Sequence, residues 1–199
     1  MGKIDENKRI KKEALYNSAY TLFTTKGINA TAISDIVKNA GVAKGTFYLY
    51  FKDKYDIRNK LIVHKTKELL NDALEHMKQE KILGFEEQVI YIIDYVINVL
   101  YSDRALSNLI SKNLVMGALR STFLTGEDTD DEIYQTLHLM IAADSHAYND
   151  VDVMLFTIVE LAGSAGYNSM HYSEPLPIDE YKPFLYRAIR LIIESHREA

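Results

Sequence analysis

Residues 31–54 read TAISDIVKNAGVAKGTFYLYFKDK, and their spacing decides the fold. Thr31 precedes Ala32, Ile33 and Ile36, and Asp35 falls in the first turn that would follow, so Thr31 is expected to cap a short helix running to about Ala40. Gly41 supplies the left-handed backbone that ends it. Only Gly41 and Val42 separate this helix from a second helical stretch over 43–49, which is the spacing of a helix-turn-helix. Ile33, Ile36, Val37, Ala40, Val42, Phe47 and Phe51 are spaced to pack the two helices on each other and on a preceding one. Leu15, Ala19, Leu22 and Phe23, at i, i+4, i+7 and i+8, mark that preceding helix, with Gly27 as its C-terminal cap.

This packing leaves Lys44, Gly45, Thr46, Tyr48, Leu49 and Tyr50 on the outer side of a helix barely two turns long. Two tyrosines, a leucine and a lysine are a poor solvent face but suit a helix whose outer side meets DNA. Gly45 weakens a helix by about 1 kcal/mol. Its use there is clearance, since a missing side chain lets the backbone approach a phosphate or base edge. Lys44 offers charge or a base-edge donor, Thr46 and Tyr48 offer hydroxyls to phosphate oxygens, and Leu49 can touch a thymine methyl. Lys54, with the free amides at the start of the next helix, is expected to form an anion site. A small helical hairpin with a sticky surface is the alternative.

Charge supports the same reading. The 199 residues carry a net charge of −5, but residues 1–67 hold 14 Lys and Arg against 6 Asp and Glu, whereas 68–199 hold 9 against 22. A +8 segment on a −13 body suggests that only the first third meets a polyanion. No cysteine is present, which excludes disulfides, thiol catalysis and cysteine-ligated zinc. The amino terminus is lysine-rich without an apolar stretch, and the apolar segment 89–100 is broken by Asp94 and Asn98. A cytoplasmic location with no membrane span is expected.

The rest of the chain keeps a helical period. Asp53 is a plausible cap for a fourth helix reaching about His76. Val89, Ile93, Val96, Ile97 and Leu100 form one stripe, and Leu106, Leu109, Ile110 and Leu114, then Ile133, Leu137 and Ile141, form others. The acidic cluster Asp128, Asp130, Asp131 and Glu132 lacks the glycine of a calcium loop and reads as a helix start. A further helix is expected from Asp150 to about Met170, and a final one to about Ser195 with Pro183 confined to its first turn.

Residues 15–62 resemble the DNA-binding domain of TetR-family transcriptional regulators. The resemblance rests on Leu22 and Phe23, Gly27, Thr31, the AGV turn at 40–42, KGTFY at 44–48 and YFKDK at 50–54. It implies an all-α fold: a three-helix helix-turn-helix domain over 1–54, whose connecting helix runs to about 76, then a larger ligand-binding and dimerisation domain over 55–199. It also implies DNA contacts at Thr31, Lys44, Gly45, Thr46, Tyr48, Leu49, Tyr50 and Lys54. Ala43 stands where serine is usual, so a cap at the start of the recognition helix is missing.

The last two helices read as apolar on more than one face, which points to burial on both sides. Phe156, Val159, Ala162, Gly163, Gly166, Phe184, Leu185, Ala188, Ile189 and Ile192 are the residues expected at a homodimer interface, the small ones permitting close approach. A monomeric core is the alternative. Tyr91, Tyr95 and Asn98 form a second stripe on their helix and, with Met116, Phe123, Tyr134, His138 and Phe156, suit a small, largely apolar or aromatic ligand. His138 and His146 are too far apart for an i, i+4 metal pair, so neither metal nor cofactor is expected. No GxSxG, phosphate loop, HExxH or Rossmann glycine pattern occurs, which argues against an enzyme. The expected function is a repressor that leaves a palindromic operator when its effector binds. A ligand-independent DNA-binding or architectural protein remains open at this point.

Overall fold

The computed structural model describes residues 3–110 and 132–198, and the chain forms two compact units, 1–65 with 105–109 and 66–104 with 110–199. The described elements are helical: α1 Lys3–Thr25, α2 Ile33–Asn39, α3 Lys44–Tyr48, α4 Lys54–Gln79, α5 Phe85–Ser102, α6 Arg104–Leu109, α7 Glu132–Ala142, α8 Val151–Tyr172 and α9 Ile178–Ser195. No strand occurs among the described residues, and their one isolated β-bridge joins Tyr148 to Arg197. No helix among them is long and apolar enough to cross a membrane.

In the first unit α1 packs on α2, and α2 on α3. Leu15, Ala19, Ile36, Phe47, Ile57 and Leu61 have no exposed surface. Burying a side chain of this size contributes roughly 1.5–3 kcal/mol, so these residues hold the helix-turn-helix as one body. The turn follows the sequence. Gly41 sits at φ +67, where a residue with a Cβ would be strained, and Val42 N–H bonds back to the carbonyl of Val37 at 3.0 Å. Asp53 caps α4 as expected, its Oδ1 accepting from the N–H groups of Tyr55 and Asp56 at 2.7 and 2.8 Å.

Two local expectations are corrected. Ala32, not Thr31, is the N-cap of α2. The Thr31 hydroxyl turns inward to the carbonyl of Gly27 at 2.8 Å, and the Ala32 N–H is served by Asp35 Oδ2 at 3.3 Å, the half of a capping box that alanine allows. Pro183 lies in the second turn of α9, not the first, so its ring deprives the Asp179 carbonyl of a helical donor.

The second unit is built on α5, α8 and α9, which contact one another pairwise. Its core includes Phe85, Val89, Ile97, Met154, Ile158, Leu185 and Ile189. Polar ties surround it: Arg190 reaches Glu86 and Glu87, and Lys182 and Tyr186 both reach Asp94. The start of α5 is fixed by Asp144, whose Oδ2 accepts from Phe85 N–H at 2.9 Å. The cluster Asp128, Asp130 and Asp131 lies outside the described residues, while Glu132 opens α7.

Candidate nucleic-acid interface

The short helix α3 divides sharply between two faces. Phe47 is fully buried and Phe51 nearly so, their rings 5.5 Å apart, while Tyr48 is 52% and Leu49 79% exposed. Lys44 and Gly45 are exposed and Thr46 and Tyr50 half-buried. A Cβ placed on Gly45 would have no neighbour within 4 Å, so nothing inside the protein requires glycine there. The clearance is toward the outside. Ala43 precedes the helix, exposed and without a side-chain cap, and its carbonyl accepts from Thr46 N–H at 2.9 Å.

The carboxylates nearest the turn are engaged elsewhere. Asp35 faces Lys26 at 3.5 Å as well as Ala32, and Asp53 caps α4. Asp56 is pushed up by burial, but the Lys52 N–H at 2.8 Å and the Lys60 ammonium at 3.1 Å outweigh that and hold its carboxyl below the usual range. With the acids so used, the exposed Lys38, Lys44 and Lys52 leave the surface around the turn basic.

Two expected contacts change character. Thr31 is 1% exposed with its hydroxyl donated inward, so the role expected for its side chain on DNA does not hold. Lys54 does not present a free ammonium: Nζ donates to the carbonyls of Ile28, Asn29 and Thr31 at 3.0, 3.3 and 3.4 Å and pins the α1–α2 connection to α4. Neither placement could be read from residue type, because the first depends on where the Gly27 carbonyl points and the second on the carbonyls of Ile28, Asn29 and Thr31. A contact that the sequence did not suggest is Ser18 Oγ, buried, donating to the Ile36 carbonyl at 2.7 Å and locking α1 to α2.

A helix-turn-helix with this division of faces has clear relatives. The family described as bacterial regulatory proteins, tetR family, matches residues 15–61. It is over these residues that the chain is similar to the TetR family. The uncharacterized HTH-type transcriptional regulator YvdT of Bacillus subtilis (strain 168) is 43% identical over 68 residues, which are 34% of this chain and 33% of that protein. A TetR transcriptional regulator from Rhodococcus sp. RHA1 shares the fold with a TM-score of 0.63 at 18% identity, covering 92% of this chain and 95% of that one. The regulator FadR from Bacillus subtilis, solved in complex with stearoyl-CoA, shares it with a TM-score of 0.54 at 18% identity, covering 91% and 97%. The chain spans about a third of the length of the curated relatives it matches.

In the second unit, Tyr91 and Tyr95 are half-buried on α5, and Tyr95 stacks on His76 with ring centroids 5.1 Å apart. Phe156 is half-buried on α8, and His138 Nε2 lies 3.4 Å from Asp152 Oδ1. Asn98, expected beside the tyrosines, is corrected: it is exposed, and its amide is taken up by Asp94 and Lys182 at the surface. Met116 and Phe123 lie outside the described residues, and Tyr134 falls in α7. Leu185 and Ile189, expected at a dimer face, are buried within the single chain and belong to its own core. Gly166 is buried as well, against Ile97. Val159, Ala162, Gly163, Ala188 and Ile192 are half-buried, and Phe184 and Leu191 are 52% and 65% exposed.

Proposed function

We propose that the protein is a cytoplasmic, homodimeric transcriptional repressor that binds a palindromic operator and releases it when a small, largely apolar or aromatic molecule enters the second unit. Residues 1–54, with the start of α4, meet the duplex, and residues 55–199 bind the effector and form the dimer. The observation that carries the reading is the surface of α3: exposed Tyr48 and Leu49 and a Gly45 with open space above it, on a helix whose other face is fully buried. Ala43, Lys44, Gly45, Thr46, Tyr48, Leu49 and Tyr50 are the proposed contacts. Tyr91, Tyr95, His138 and Phe156, with Met116, Phe123 and Tyr134, are the proposed effector-binding residues. Stearoyl-CoA in FadR supports an apolar effector as a class, not that compound for this chain.

Release needs little energy. Two half-sites one turn apart require recognition helices about 34–36 Å apart or a multiple of that. An effector that favours another spacing by about 1–3 kcal/mol loosens binding 5- to 150-fold. The test is to select a duplex from a random pool with the purified protein, then to screen lipophilic and aromatic compounds by thermal shift. A compound at 100 times its Kd should add about 2.7 kcal/mol of stability and release the selected duplex. Stabilising compounds that all leave the duplex bound would overturn effector control, and failure to select any sequence would overturn the whole reading.

A further inference from the structure

The stripe of α1 that is buried from Leu15 and Ala19 onward continues toward the amino terminus through Lys12, Lys11 and Lys8, at i, i+3 and i+4 spacing. All three lysines are exposed. The helix therefore runs past its core with the same face turned from apolar to basic. A helical stretch this short is marginal in water without tertiary support, and here the support comes from the recognition segment. The Tyr50 hydroxyl, just beyond α3, donates to the Lys8 carbonyl at 3.3 Å. Lys12 Nζ lies 5.6 Å from the centroid of the Tyr16 ring, which itself packs against Phe51 at 5.4 Å.

The neighbouring acids do not neutralise this face: exposed Asp5, three residues before Lys8, sets one negative charge against three positive ones. Glu6 closes on Arg9 at 2.8 Å, and Glu13 faces His64 at 3.3 Å. Among the described residues no ion pair involves Lys8, Lys11 or Lys12, and Lys52 and Lys60 add further cations beside Tyr50, Lys60 being paired with Asp56. The stretch also lies before residue 15, where the match to the family begins.

We propose that Lys8, Lys11 and Lys12 form a clamp on the phosphate backbone of the duplex immediately beside the bases faced by α3. This rests on reading α3 as the recognition helix. Tyr50 joins the two surfaces, so a duplex lying on α3 runs on toward the lysine face, and the shared ligand chemistry is the DNA phosphate. Lys8 and Lys12, one turn apart, are separated by about 6 Å along the helix, a span that meets about two successive phosphates of one strand. Such contacts raise affinity for every sequence and carry no base preference.

The experiment compares wild type with the triple variant Lys8→Ala, Lys11→Ala, Lys12→Ala on a 40-base-pair duplex carrying the selected sequence at its centre, and on the same duplex with a scrambled centre. Alanine keeps the helix, and an unchanged melting temperature and circular dichroism spectrum verify it. At about 100 mM salt the variant should bind both duplexes at least about 10-fold more weakly, with a log–log salt slope shallower by about two to three units per protomer and an unchanged ratio between the duplexes. Arginine at all three positions should restore the affinity. An unchanged slope, with wild type still preferring the selected duplex, would overturn the clamp and leave the recognition helix standing. A lost preference in the variant would also overturn it, because the segment would then be acting through α3. A wild type that prefers neither duplex would overturn both.

Discussion

The Lys54 ammonium sits on three carbonyls of the α1–α2 connection, and this placement makes it a tether before anything else. Hydrogen bonds from a charged donor contribute about 1.5–3 kcal/mol. Lys54→Met keeps the stem and removes the donor, so urea denaturation should show a loss of about that size, and an unchanged midpoint would contradict the tether. Asp144 makes an acid-side prediction. Burial pushes its carboxyl up, but hydrogen bonds from the N–H groups of Phe85 and His146, the His146 ring and the Tyr148 hydroxyl outweigh this and hold it at about 2, against 3.8 when free. A folded-state value below the unfolded one means stability that is full above about pH 4 and is lost as pH falls toward 2. The difference corresponds to about 2 kcal/mol. Asp144→Asn should flatten that part of the stability profile measured between pH 5 and 2. A variant that keeps the wild-type acid slope would show that another carboxylate carries it.

At the scale of helices, α9 presents two apolar faces of different use. Leu185 and Ile189 fill the core of their own chain, whereas Phe184 and Leu191 remain at the surface. Phe184→Asp with Leu191→Asp should therefore give a folded monomer by light scattering, while Ile189→Asp should unfold the second unit. A double variant that stays dimeric would move the interface off this face. The same helix shows what sequence can and cannot carry. Its 3.6-residue period announces a helix, as it does for α1, α5 and α8, and the Gly41 turn and Asp53 cap announce where α2 stops and where α4 starts. With apolar residues on two faces, however, no pattern along α9 tells which face its own chain takes. Side chains that bond to loop carbonyls, as Thr31 and Lys54 do, are equally silent, because their partners are set only once the loop has folded. The outer face of α3 was legible for the opposite reason: a five-residue helix has one buried side, and Phe47 claims it.

Over the whole molecule the charge is divided, +8 over residues 1–67 and −13 over 68–199, so an approaching duplex is drawn to one part and repelled by the rest. The central claim is that α3 enters the major groove, and Gly45 tests it most directly. A Cβ there meets nothing within 4 Å inside the protein, and replacing glycine raises helix propensity, so a side chain added on this exposed face is expected to obstruct an external partner rather than the fold. The measurement is a titration of wild type and Gly45→Leu against the selected duplex and a scrambled one over a range of salt, with melting temperatures taken alongside. Wild type is expected to prefer the selected duplex, and Gly45→Leu to melt no lower than wild type yet lose both modes of binding. A Gly45→Leu variant that binds the selected duplex as wild type does would contradict entry of α3 into the groove.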